Sequence, residues 1–172
     1  MSQFAQTLIG PGDGVSAANA RAVVRRPNIC IVSSCGGHLT EVRELKPAYE
    51  RYEHFFVINE RIMLPTDMEG RTYFIRHAER DLLVLTNLWE AWRILRAERP
   101  ALILTTGAGP AVPFAMLGKL LGIPTVFIED MNRVLAPSLT GRILYRLGAR
   151  CFYQWPALGR YFPRGIYGGP LA

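Results

Sequence analysis

Short apolar runs rich in β-branched and aromatic residues alternate along this chain with segments of helical periodicity, and that alternation leaves few folds open. NICIVSS (28–34), HFFVIN (54–59), TYFIR (72–76), ALILTTG (101–107), PTVFIED (124–130) and RCFYQW (150–155) each read as a strand. Leu39, Val42, Leu45 and Tyr49 recur at three- and four-residue spacing, which predicts an amphipathic helix over 39–52. A second helix is expected over about 80–98, with Leu82, Leu85, Leu88, Trp89, Trp92 and Leu95 on one side and Pro100 barring its continuation. A third covers 110–121 and stops at Gly122; a fourth covers about 138–147. The polar segment 60–71, with Pro65 and Gly70, reads as a long loop. Strands and helices alternating in this way predict an α/β fold, a Rossmann-like doubly wound parallel sheet with helices on both faces.

The 172 residues suffice for one domain with a full core. Residues 28–172 are expected to form it, and the Gly-, Ser- and Ala-rich stretch 1–27 reads as a flexible leader without the apolar core of a signal peptide or anchor. Elsewhere Gly, Pro or charge interrupts every apolar stretch before it reaches the ~18 residues of a membrane span. A formal charge of +6 favours an anionic partner: a phosphate-bearing ligand, a membrane surface or nucleic acid. Nucleic acid has charge alone behind it, with no recognition motif. The odd set Cys30, Cys35 and Cys151 reads as free thiols of a reducing compartment, and without a Cys-x-x-Cys pair no metal site is expected.

Ligands of a parallel sheet bind beyond the carboxyl ends of its strands, and two glycine turns fall there: SSCGGH after the first strand and TTGAGP after the fourth. Glycine admits a ligand close to the backbone, and the helix that follows offers free N–H groups and partial positive charge. Ser34, Gly36, Gly37, Gly107 and Gly109 are thus candidates for holding a phosphate. The turns lack the G-x-G-x-x-G spacing, which argues against a dinucleotide-binding reductase. His38 opens the helix after the first turn; the positive helix end should keep its ring neutral and able to take a proton from a hydroxyl. Glu41 could orient that ring or be an ordinary first-turn acid. In FIEDMNR (127–133), Glu129 or Asp130 could contact acceptor hydroxyls or hold the histidine, or the pair could simply be solvated. A cysteine hydrolase built on Cys35 and His38 fits poorly, because three residues across a helix start give doubtful geometry.

With SCGGHLTE, TTGAGPAVPFAMLGKLLGIPTVFIED and PSLTGRILYRLGARCFYQWP in view, residues 28–170 resemble the acceptor-side subunit of two-component GT-B glycosyltransferases. These serve bacterial exopolysaccharide synthesis and the eukaryotic dolichol-linked N-acetylglucosaminyltransferase. The resemblance implies a fold equivalent to the N-terminal half of a GT-B enzyme. It also implies a donor-binding partner chain that holds a UDP-sugar, and a polyprenyl-diphosphate-linked acceptor on this chain. Transfer would be inverting, with no metal or cofactor. It maps catalytic roles onto His38, Glu41 and Glu129, and the acceptor site onto the two glycine turns; Asn132 and Arg133 are further acceptor-binding candidates. Cys35 departs from the smaller residue expected in the first turn, and the eukaryotic anchor has no counterpart in the leader. Peripheral attachment to the cytoplasmic membrane face is expected instead, through Arg142, Arg146, Arg150, Arg160 and Arg164 with their aromatic neighbours or through the helix at 80–98. The alternative is a non-catalytic module that recruits a complete glycosyltransferase to the membrane.

Overall fold

The computed structural model describes residues 27–59, 71–75 and 83–171. The leader at 1–26, most of the 60–71 loop and the start of the helix expected from residue 80 lie outside them. Seven strands form one sheet: β1 (Asn28–Ser33), β2 (Glu53–Ile58), β3 (Thr72–Phe74), β4 (Leu102–Thr105), β5 (Thr125–Ile128), β6 (Arg150–Tyr153) and β7 (Ile166–Tyr167). Their order is β3-β2-β1-β4-β5-β6-β7, and every neighbouring pair is parallel. This is the doubly wound sheet expected. β7 is an addition: two residues in a tail rich in Gly and Pro carry no readable period.

The helices are α1 (Gly37–Glu44), α2 (Lys46–Tyr49), α3 (Leu83–Glu98), α4 (Ala111–Leu121) and α5 (Leu139–Leu147). The single helix expected over 39–52 is therefore two. Pro47 supplies the reason: it lacks an N–H and its ring would clash with the carbonyl one turn back, so the chain ends α1 and restarts with Pro47 in the first turn of α2.

Side chains alternate across the sheet with a period of two. Ile29 and Ile31 of β1 enter one core layer with Leu39 and Val42 of α1 and Leu45 just after it, while Cys30 and Val32 enter the opposite layer with Leu95 of α3 and Phe114 of α4. A third cluster joins Phe127, Ala111, Leu144, Leu158 and Phe162 beneath α4 and α5. Gly118 lets α4 lie close on the sheet, since a methyl there would fall 2.6 Å from Ile103 Cδ1. On α3 the core stripe is Ala91, Ile94 and Leu95, with Leu88 partly buried. Trp89 and Trp92, expected on that same side, lie outside, 58% and 41% exposed under the guanidinium groups of Arg93 and Arg96. Among the described residues no helix is long and apolar enough to cross a membrane.

Candidate active site

The chain leaves β1 towards β2 on one side and returns through β4 on the other, so the turns after these adjacent strands lie at the carboxyl edge where the winding of the sheet reverses. Gly36 is the residue before α1, with φ 85° and ψ −138°, a conformation that glycine alone adopts without strain. In the second turn Gly107 has φ 113°, and Ala108 takes φ 72° although it carries a Cβ. The Gly107 amide donates to Thr105 Oγ1 at 3.0 Å, and Thr106 Oγ1 donates to the His38 carbonyl at 3.1 Å. A methyl on Gly107 would lie 3.6 Å from His38 Cε1 and 3.5 Å from the Phe127 ring. The two turns thus meet at His38.

The His38 ring stands between two carboxylates. Nδ1 faces Glu41 Oε2 at 3.7 Å and Nε2 faces Asp130 Oδ2 at 3.7 Å. Both separations exceed a hydrogen bond and fall within ion-pair range. Glu41 is buried, its Oε1 held by the Met131 amide at 2.7 Å. Its Oε2 and His38 Nδ1 are closed to solvent and have no hydrogen-bond partner besides facing one another. Asp130 is fixed through its other oxygen, which accepts from the Asn132 amide at 2.7 Å and from Asn132 Nδ2 at 2.9 Å. Glu41 foremost, then Asp130, pull the imidazole pKa above its ordinary value against the opposing effect of burial. This corrects the expectation of a ring kept neutral by the helix end: two nearby anions outweigh a partial positive charge.

The ligand atoms of His38, Glu41 and Asp130 lie within 4.8 Å of one another. Two carboxylates this close to one imidazole can take up and hold a proton on the ring.

Glu129, expected among the catalytic acids, is not part of this cluster. Phe127 points towards α5, so Glu129, two residues on, points the same way, while Ile128 and then Asp130 turn to the α1 face. The Glu129 carboxylate is fully buried and accepts from the Ser138 amide at 3.1 Å, just where Ser138 Oγ caps α5 through the Gly141 amide at 2.9 Å. A methyl at Gly141 would collide with Glu129 Oε2, so that glycine makes the room. Burial raises the Glu129 pKa although Ser138 and Arg133 oppose it. Its place is that of an anchor for the start of α5.

Ser34, Gly36, Gly37 and Gly109 lie on the two turns, with Gly36, Gly37 and Gly109 exposed. Asn132 is tied to Asp130 and, with Gly37, Thr40, Glu41, Glu44, Met131 and Leu171, lines a cavity of 390 Å³ beside α1. Arg133 is exposed, its amide bonded to the Asp130 carbonyl at 2.9 Å. Of the two acids offered for holding the histidine, Asp130 is the one that faces it, and two supports escaped the sequence reading: Thr106 and Asn59 after β2, whose Oδ1 accepts from the Cys35 amide at 3.4 Å. The Cys35 thiol turns to that same Asn59 oxygen, 3.7 Å away. From the YQWP segment, Gln154 Nε2 donates to the Glu129 carbonyl at 3.0 Å and Trp155 Nε1 to the Met131 carbonyl at 2.6 Å, bracing the segment that carries Asp130.

The chain is similar to known proteins in sequence and in fold. The chain is 26% identical to the human UDP-N-acetylglucosamine transferase subunit ALG14 over 84% of its own length and 82% of the human protein. It is 31% identical over 51% of its length to a UDP-N-acetylglucosamine--N-acetylmuramyl-(pentapeptide) pyrophosphoryl-undecaprenol N-acetylglucosamine transferase of Xylella fastidiosa, and spans 23% of that enzyme. In three dimensions it superposes on MurG of Acinetobacter baumannii with a TM-score of 0.63 at 18% identity, over 76% of this chain and 42% of that one, which shows a shared fold over that part. The model of the Alg14-like oligosaccharide biosynthesis proteins matches residues 81–171, which hold the second glycine turn, Glu129, Asp130 and the YQWP segment. The chain belongs to the Alg14-like family.

Proposed function

We propose that this chain is the acceptor-side subunit of a glycosyltransferase. A separate chain holds a UDP-sugar across the cleft, and this one holds a polyprenyl-diphosphate-linked saccharide at its glycine turns. The observation that carries the reading is the placing of His38 between two carboxylates, on the first turn of a helix, at the switch point of the sheet. At the head of α1, Leu39 and Thr40 turn their amides onto the Gly36 carbonyl, at 3.0 and 3.3 Å. The amides of Gly37 and His38 have no carbonyl one turn back, and with an open Gly36 and Gly37 they suit a diphosphate. An acceptor hydroxyl beside it would give its proton to His38 Nε2 while its oxygen attacks the anomeric carbon. The sugar–UDP bond breaks on the opposite face, and UDP leaves with the electron pair. The configuration inverts.

The partner and the membrane follow from the same reading. A chain that supplies one Rossmann-like half needs a donor half to close the cleft. Trp89 and Trp92 with Arg93 and Arg96, and the arginines stacked on Tyr145 and Tyr161 beside the exposed Leu135 and Leu139, suit an anionic bilayer surface. We place the protein peripherally on the cytoplasmic face, where UDP-sugars are made. The test is reconstitution with a donor-binding partner chain on vesicles that carry a diphosphate-linked acceptor. Sugar transfer that needs both chains supports the reading. Equal transfer by the partner alone, with soluble acceptor, would reduce this chain to a membrane-recruiting module.

A further inference from the structure

The candidate base carries one more charged neighbour than it needs. A single buried carboxylate, Glu41 on Nδ1, is enough to fix the ring. Asp130 is different: it comes from the segment after β5, is 19% exposed where Glu41 is 5%, and faces the other nitrogen, the one a substrate must reach. Its orientation is built rather than incidental, since Oδ1 is tied to Asn132 while Oδ2 is left to face Nε2. Trp155 and Gln154 brace the backbone on either side of it.

We propose that Asp130 is a positioning residue, which holds the second proton of His38 on Nε2 in the free protein and makes room for an acceptor hydroxyl between Nε2 and Oδ2. The inference rests on the reading of His38 as the base. An oxygen lying to one side of the 3.7 Å line that joins Nε2 and Oδ2 can touch both groups at hydrogen-bond distance. Before it can enter, the Nε2 proton must pass to water, so transfer is gated on the acid side. Once the hydroxyl is in place its proton goes to the emptied Nε2 and Asp130 is left facing the imidazolium that forms. Among the described residues Glu41 and Asp130 are the titratable side chains that face the ring. From the β4 side it meets Thr106 and Gly107, which do not titrate, and Cys35 turns its thiol to Asn59.

The test is an NMR titration of the His38 ring in the full chain, with the signal assigned through His38→Gln. In the Asp130→Asn variant the amide oxygen can still accept from Asn132, which preserves the turn, but the negative charge facing Nε2 is gone. The titration midpoint should fall below that of the wild type, and Asp130→Glu should bring it back up. In the reconstituted enzyme the acid limb of the kcat/KM profile should move to lower pH with Asp130→Asn, by the same amount as the midpoint. A midpoint that Asp130→Asn leaves unmoved, in a variant with unchanged circular dichroism, overturns the proposal. A midpoint that moves although no sugar transfer is found keeps the coupling of Asp130 to His38 and refutes only the function assigned to it.

Discussion

The two glycine turns look alike in sequence and differ in what their glycines do. In the first, a Cβ on Gly36 or Gly37 would meet nothing within 4 Å, so the absent side chains leave open space in front of the α1 amides. In the second, Gly107 is buried against Phe127 and the His38 ring, and the residue after it holds a left-handed backbone without being glycine. One turn leaves its backbone open; the other is a wedge that fixes the histidine from behind. A glycine in a strand–helix turn therefore has two distinct physical reasons to be there, and only the open one points directly to a ligand.

This difference can be broken by substitution. The largest effect should come from the side chain both turns serve: His38→Ala should lower turnover of the two-chain enzyme by about 10²–10⁴-fold, the usual contribution of a general base, while complex formation with the partner is unchanged. Gly107→Val should follow, with a stability loss of about 3 kcal/mol in urea unfolding, because a β-branched residue is forbidden that backbone and its methyls press on Phe127 and His38. Gly36→Ala meets open space and pays only for its glycine-type backbone, about 1–3 kcal/mol. Gly37→Ala is the sharpest discriminator. Its backbone is helical and its surroundings empty, so alanine should stabilise the fold by up to about 1 kcal/mol while weakening acceptor binding. Weaker binding without lost stability would have to come from the ligand side of the turn.

The smallest effect is on stability against pH. Glu41 and Asp130 raise the folded-state pKa of His38 above its ordinary 6.5, so the folded protein binds that proton more tightly than the unfolded chain. The stability this adds is fully present below the unfolded value and is lost as pH rises through the raised folded value. His38→Ala should flatten that part of the urea-midpoint profile.

Much of this was legible before any coordinates. Apolar strands, the two turns and His38 leave local marks, because buried strands need β-branched residues and tight turns need glycine. The assignment of roles to Glu129 and Asp130 was not legible, because it depends on which sheet face each residue meets, and a one-residue shift exchanges them. Once Phe127 is known to face α5, parity gives Glu129 to that helix and Asp130 to His38. The tryptophans of α3 failed for a related reason. Leu88, Ala91 and Leu95 lie one residue behind Trp89, Trp92 and Arg96 along the helix, and two adjacent stripes that both hold large apolar side chains offer no local sign of which one is buried. The break at Pro47 was visible in the sequence and was overridden by a periodicity that runs on through α2.

The most direct measurement is a structure of this chain with its donor-binding partner and a diphosphate-linked acceptor. It should show phosphate oxygens within hydrogen-bond distance of the Gly37 and His38 amides, and the acceptor hydroxyl between His38 Nε2 and Asp130 Oδ2. A diphosphate bound away from the first glycine turn, or a hydroxyl out of reach of His38, would contradict the account.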